Sequence, residues 1–309
     1  MDERRLLIDC DPGIDDALAI VAALASETVV LQGITTVYGN VPVRQATRNA
    51  ARVLSLLSQS PALPIGEGAE QPLTGSRLPR RRLHGRDGLA DLEIPVVPVP
   101  SPRVESTPLI TGLLNAHALD EIVALGPLTN LAHLFASAPK LLRGLRRMSI
   151  MGGVVVGAGH STATEFNLAS DPAAARCVLD SRVPLRWIPL NAAASVVMPQ
   201  GAIDEFRAAY PRSRVASTIA KLLSFTARMR DRGGAVVPDA VALALALDPG
   251  LGRWRLCRLG LKDRSRLGRL SIEPGVPNAQ LCEAVDGPRV SAMLWSLWSQ
   301  MVERDAAHS

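Results

Sequence analysis

Four aspartates, Asp9, Asp11, Asp15 and Asp16, stand within eight consecutive positions of the stretch LLIDCDPGIDDALAI, residues 6–20. Like charges this close repel unless a cation neutralises them, and carboxylate oxygens are the hard ligands that Ca2+ and Mg2+ take. The local pattern says where such a cation would sit. LLID reads as the end of an apolar strand, Pro12-Gly13 as a turn, and DDALAIVAALA as a helix with Asp15 and Asp16 in its first turn. A cation at this strand-to-helix turn takes oxygens from Asp11 before it and Asp16 after it. Helix capping accounts for one or two of these aspartates, not for four.

The elements that must position such a turn alternate along the whole chain. Short apolar or β-branched runs predict strands over 5–9, 29–36, 121–125, 148–151 and 185–189. Helical periodicity predicts helices over 15–26, 43–58, 107–118, 130–136, 172–179, 203–207, 217–231, 239–247 and 290–303. This alternation predicts an α/β fold: a mostly parallel central sheet flanked by helices, in one domain over residues 1–309. Residues 72–102 are rich in Pro, Gly and Arg and read as a long loop. Ligands of open α/β sheets bind beyond the carboxyl ends of the strands, where such loops gather.

Composition narrows the function classes. A hydrophobic content of 47% with 20% charged residues is that of a globular protein. No apolar run reaches the roughly 18 residues of a membrane span, and a first strand at about Arg5 leaves no room for a signal peptide, so a cytoplasmic location is expected. Cys10, Cys177, Cys257 and Cys282 are far apart without CxxC spacing, which predicts free thiols rather than a disulfide framework or zinc site. The net charge is +5, yet only Lys140, Lys221 and Lys262 are lysines among the 34 basic residues. The clusters RRR (80–82) and RWRLCRLGLKDRSRLGR (253–269) have few aromatics among them, as expected where aromatics are 3% overall, and read as solvated basic surface rather than a nucleic-acid platform.

An apolar strand ending in Asp-x-Asp also opens the haloacid-dehalogenase-type phosphatases, with Asp9 as nucleophile and Asp11 as acid. That reading leaves Asp15 and Asp16 unexplained and lacks a placeable downstream Lys and second acidic pair. Further blocks point elsewhere: GITTVYGN (33–40), HGRDGL (84–89), ALGPLTNLA (124–132), MGG (151–153), EFNLASDPAAA (165–175) and PDAVALALALDP (238–249). With DCDPGIDDA (9–17) they follow the order and rough spacing of the nucleoside hydrolase family of inosine-uridine preferring type, which the chain resembles from Leu6 to about Asp286.

The resemblance implies hydrolysis of the N-glycosidic bond of ribonucleosides with one Ca2+ as cofactor. It assigns Asp11, Asp16 and Asp239, with the backbone carbonyl of Leu125, as calcium ligands, and Asp11 as the base that orients a calcium-bound water toward the anomeric carbon. It assigns Asp15, Asn40, Glu165, Asn167 and Asp239 to the ribose hydroxyls. Carboxylates near an oxocarbenium-like transition state stabilise its charge, so the residue types suit the reaction. Asn40 has an alternative reading as a turn residue, Asp171 reads as a helix cap, and Asn130 as ordering the PLTN turn. The small-molecule partner implied is a ribonucleoside, and dimers or tetramers are common in the family, so a homo-oligomer is expected.

Two positions depart from the family pattern. Pro238 stands where the best-known members carry a His that protonates the departing base, and a proline cannot give a proton. In GAGHSTATEFN, Gly159 or His160 stands where many members have an Asn that holds the 5′-hydroxyl. His160 is the candidate stand-in there, and His84 and His160 are the histidines placed to reach the pocket. The competing function is a weakly active or inactive relative that binds ribosyl compounds.

Overall fold

Leu6, Leu7 and Ile8 are all buried, so the first strand is covered on both faces, as a central strand of a parallel sheet must be. The computed structural model describes residues 3–57, 63–79, 82–94, 104–155, 164–230, 233–261 and 267–307. In chain order its first half comprises β1 (Arg4–Cys10), α1 (Ile14–Ala25), β2 (Val29–Thr36), α2 (Val43–Leu54), β3 (Ile65–Glu67), β4 (Val104–Glu105), α3 (Ser106–Asn115), β5 (Glu121–Ala124), α4 (Thr129–Ser137), β6 (Arg147–Met151) and β7 (Val154–Val155). There follow α5 (Phe166–Ser170), α6 (Pro172–Leu179), β8 (Leu185–Ile188), α7 (Leu190–Ala193), β9 (Met198–Pro199), α8 (Gln200–Ala209), α9 (Arg214–Arg230), β10 (Gly234–Ala235), α10 (Pro238–Leu247), β11 (Gly252–Leu261), β12 (Arg269–Glu273), β13 (Ala279–Val285) and α11 (Gly287–Ala306).

Among the described residues the main sheet runs β4-β3-β2-β1-β5-β6-β8-β13-β11-β12-β7. Pairing is parallel from β4 across to β13, while β11 runs antiparallel to both β13 and β12. From β1 the chain builds outward through β2, β3 and β4, then returns by α3 to add β5 on the other side of β1. The strand order therefore reverses between β1 and β5. Connections leave in opposite directions at such a point and open a crevice beyond the carboxyl ends of the two strands. Asp11 follows β1 and Leu125 follows β5, so both flank that crevice.

One core lies under α1, α9, α10 and α11, and a second, on residues such as Ile110, Leu131, Val178 and Trp187, lies under α3, α4 and α6. Helix α10 is buried at every position, as a helix apolar all round should be. It packs on α1 and α11. No helix among the described residues is long and apolar enough to cross a membrane.

The expected strands all form, with small shifts at their ends. The expected helices form as well, except that the one expected over 43–58 stops at Leu54, where residues 55–57 turn away; the end expected at residue 231 lies outside the described residues. Sequence reading missed the antiparallel flank. The segment read as basic surface is largely strand, with its arginines still exposed: pairing of β11 with β13 places Arg253 and Arg255 near Glu283, and pairing with β12 places Arg258 near Glu273. Its alternation is masked because Arg253, Arg255 and Leu256 all stand exposed, so apolar and charged residues do not separate cleanly by face. Cys10, Cys257 and Cys282 are buried and Cys177 is half-buried, all as free thiols.

Two leucines separate core from surface. Leu243 on α10 is 0% exposed, whereas Leu256 on β11 is 67% exposed. Leu243→Ala should cost about 2–5 kcal/mol in urea unfolding, and Leu256→Ala less than about 0.5 kcal/mol. Equal costs would contradict this packing.

Candidate functional site

The turn after β1 is shaped by what surrounds it. A Cβ on Gly13 would stand 2.7 Å from Asn40 Nδ2 and 2.9 Å from His84 Nδ1, so only glycine lets the chain pass between those side chains. The Gly13 amide donates to Asp16 Oδ2 at 2.9 Å, the return bond of an acidic residue in a first helical turn. On the other side, the Asn40 amide donates to Asp11 Oδ2 at 2.6 Å, and Asn40 Nδ2 donates to the Asp11 carbonyl and to Asp16 Oδ2, each at 3.3 Å. Asn40 therefore does more than end a turn. It joins the two aspartates on which the sequence places the cation.

Asp239 enters from the first turn of α10, where Pro238 sets the helical start. Oxygens of Asp15, Asp16 and Asp239 all lie within 4.8 Å of one another, and all three residues are buried. This triple contains Asp15, which the resemblance gives to ribose, where the resemblance puts Asp11. Asp11 is 1% exposed, and its Oδ1 has no hydrogen-bond partner, nor have Asp15 Oδ1 and Asp16 Oδ1. Buried carboxylate oxygens normally find donors. Three orphaned oxygens, two of them on the triple itself, are the donors a hard divalent cation takes, and the residues fit one. The Leu125 carbonyl accepts from Asn167 Nδ2 at 2.6 Å, which ties the backbone donor to a residue assigned to ribose.

The electrostatics carry the same information. Burial, then the Asp16 charge, pushes the Asp11 carboxyl well up. Burial, then Asp15, pushes Asp16 up to about 7. Asp239 is pushed well up by burial and then by Asp15, Asp16 and Asp11. Without a positive charge these groups cannot all ionise together near neutral pH. Asp9 stands apart: its Oδ1 accepts from Thr35 Oγ1 at 2.6 Å and Asn130 Nδ2 at 2.7 Å, and burial raises it to about 6. Asn130 also reaches the Thr36 carbonyl and accepts from the Ala69 amide, so it locks the ends of β1 and β2 together rather than only ordering its own turn.

Asp15 and Asp239 face a pocket that is also lined by Asn40, His84, Leu125, Glu165 and Asn167 among others. Glu165 caps α5, accepting from the Asn167 and Leu168 amides and from the Gly153 amide, so its carboxylate is fixed in place. His84 Nδ1 accepts from the Ile14 amide at 3.1 Å and stands 3.5 Å from Asp15 Oδ1. The amide takes the Nδ1 lone pair, so neutral His84 carries its proton on Nε2 and the Asp15 approach is proximity rather than a bond. His160 lies outside the described residues. Asp171 caps α6 through the Ala174 amide, as expected. Sequence reading did not select Met151, Phe166, Leu190 and Arg82, which also line the pocket; Phe166 and Met151 sit inside quoted motifs, Arg82 ends the RRR cluster read as solvated surface, and Leu190 carries no local signal.

In sequence and fold the chain is similar to known nucleoside hydrolases. A family model described as inosine-uridine preferring nucleoside hydrolase matches residues 6–292. The pyrimidine-specific ribonucleoside hydrolase RihA of Enterobacter sp. (strain 638) is 33% identical over 262 residues, 81% of this chain and 82% of the relative. A solved purine-preferring ribonucleoside hydrolase from Gardnerella vaginalis superposes with a TM-score of 0.89 at 26% identity, covering 97% of this chain and 100% of that one. An inosine-guanosine nucleoside hydrolase superposes at 0.86 with 27% identity, covering 97% and 99%.

The raised carboxyls set a pH dependence. An unfolded chain releases these protons near pH 4, whereas the metal-free folded protein holds them up to about 6 for Asp9 and about 7 for Asp16. The folded state then binds more protons between those values, so its stability is greatest at the acid end of that window and falls as pH rises through it. The metal-free Tm should drop between about pH 5 and pH 8, and added calcium should raise Tm far more at the upper value. A metal-free Tm that climbs across this range would contradict the reading.

Proposed function

The chain belongs to the inosine-uridine preferring nucleoside hydrolase family, whose members cleave ribonucleosides at the N-glycosidic bond, and from that premise we propose a calcium-dependent reaction with an unassisted leaving group at position 238. The observation that carries the reading is the buried triple Asp15, Asp16 and Asp239, of which Asp15 and Asp239 line the pocket, together with the orphaned oxygen of Asp11. Asp11, Asp16, Asp239 and the Leu125 carbonyl would hold Ca2+, with Asp15 close enough to share in the set. When bound, the cation neutralises the carboxylates and makes a nearby water more acidic.

The chain's own groups account for the remaining steps. Asp11 takes a proton from the attacking water as its oxygen bonds to the anomeric carbon. The carbon–nitrogen bond breaks, and its electron pair leaves with the base. Asp15, Asn40, Glu165, Asn167 and Asp239 hold the ribose hydroxyls, and the carboxylates among them stabilise positive charge developing on the ring. Asn40 suits this role because its amide is already oriented by Asp11 and Asp16. Glu165 suits it because its backbone bonds fix the carboxylate. His84 offers Nε2–H to the substrate, and His160 is the candidate partner of the 5′-hydroxyl.

Pro238 is buried, lines the pocket and offers no proton to the departing base. A positioned general acid contributes roughly 10²- to 10⁴-fold, about 3 to 5 kcal/mol, and only where the leaving group is too basic to depart alone. The protein should therefore cleave p-nitrophenyl riboside well and inosine or uridine slowly, and Pro238→His should narrow the gap. Measuring kcat/KM for these substrates in wild type, His84→Ala, His160→Ala and Pro238→His decides the matter. Fast nucleoside cleavage that ignores all three changes would contradict the missing-acid reading. Retained riboside binding without turnover of any substrate would replace it with a ribosyl-binding role.

A further inference from the structure

Helix α2 holds two buried polar side chains that no element of the reaction uses. Asn49 is 0% exposed, and its Nδ2 donates to the Pro12 carbonyl at 2.9 Å and to the Asp87 carbonyl at 2.8 Å. Its Oδ1 accepts from Gln45 Nε2 at 2.9 Å and from Arg52 Nη1 at 3.1 Å. One amide thus spans the aspartate turn on one side and the 82–94 segment on the other. Arg52, 8% exposed, reaches further into that segment: Nη1 meets Asp87 Oδ2 at 2.8 Å, Nε donates to the Ile94 carbonyl at 3.4 Å, and Nη2 donates to the Leu92 carbonyl.

The segment is folded to receive them. Asp87 Oδ1 accepts from the Leu89 amide at 2.8 Å and the Asp91 amide at 3.0 Å, and the Ala90 amide closes on the His84 carbonyl at 2.9 Å. Gly88 has φ of +91°, and a Cβ there would stand 2.8 Å from Asn49 Nδ2 and 3.1 Å from the Pro12 carbonyl oxygen. This residue is glycine because the loop backbone presses on the bridging amide. A buried guanidinium costs desolvation unless it is fully paired, so four acceptors around Arg52 mark a rigid joint rather than a passing contact.

We propose that Arg52 is a positioning residue for the reaction, acting through Asp87 and the 82–94 segment to hold His84 beside Asp15 at the pocket. The proposal rests on the reading above, in which His84 meets the substrate. Arg52 bonds to the loop and to Asn49 but makes no bond to the aspartates themselves. Its loss should therefore change catalysis and leave metal binding alone. Lysine cannot substitute, because one ammonium cannot span the acceptors that the planar guanidinium reaches.

A double-mutant cycle with His84→Ala tests the route. In the calcium-loaded protein, Arg52→Met should lower kcat/KM for uridine and inosine about 10- to 100-fold, Arg52→Lys should not rescue it, and calcium affinity should stay within about 3-fold of wild type. In the His84→Ala background, Arg52→Met should cause less than about 3-fold further loss, since its route is already cut. If Arg52→Met fails to fold, Gly88→Ala disturbs the same joint from the loop side and should show the same non-additivity. The imidazole proton resonance of His84, assigned by its absence in His84→Ala, should shift or broaden in either variant whatever the activity. Losses that multiply across the cycle, a fall in calcium affinity with Arg52→Met, or an unchanged His84 resonance would overturn the proposal while an active wild type left the enzyme reading standing. A wild type inert on every riboside would remove that reading, and the His84 resonance alone would then decide the positioning claim.

Discussion

Mutual repulsion among buried carboxylates is the constraint around which this protein is built. Asp11, Asp15, Asp16 and Asp239 come from two different helix-opening turns, and every one is withdrawn from water. Burial drives Asp11, Asp16 and Asp239 to hold protons, and their neighbours' charges push in the same direction. A fold gains nothing by concentrating such groups unless a positive charge joins them. The sheet supplies the place, because the reversal of strand order between β1 and β5 leaves a crevice into which turns from both sides project.

Around the aspartates, neutral amides do the orienting. Asn40 bonds to Asp11 and Asp16, Asn130 fixes Asp9 at the strand end, Asn167 meets the Leu125 carbonyl, and Asn49 ties the turn to the His84 segment. An amide donates and accepts without adding charge, so it can hold carboxylates in register without competing with a cation for them. A charged donor at these positions would neutralise a ligand and weaken the metal site. Arg52 and its guanidinium are accordingly kept one step away, on Asp87. The basic composition of the chain resides elsewhere, largely on the antiparallel flank and the surface.

The aspartate turn was legible because its residues are adjacent in sequence and their chemistry is extreme. The parallel strands were legible because strands buried on both faces are nearly continuous apolar runs, as LLI in β1 shows. Strands β11 and β12 were not, since arginines on their exposed face read as a charge run and their pairing is non-local. The two roles of Asn130 and the joint of Asn49 and Arg52 were also hidden. Each depends on partners dozens of residues away, and a lone Asn or Arg in a helix carries no local signal of what it will reach. Asp15 illustrates the remaining limit: family likeness gives it to ribose, whereas proximity places it with Asp16 and Asp239, and sequence spacing does not separate these roles.

The central claim is that this cluster is built to exchange protons for one divalent cation. Calorimetric titration of the metal-free protein with calcium near pH 6.5, repeated in buffers of different ionisation enthalpy, measures the protons released per ion bound. The account predicts one ion per chain with release of about one proton or more, because carboxyls raised by burial and mutual repulsion must ionise to serve as ligands. Binding of one ion with no proton release, or no calcium binding at all, would contradict it.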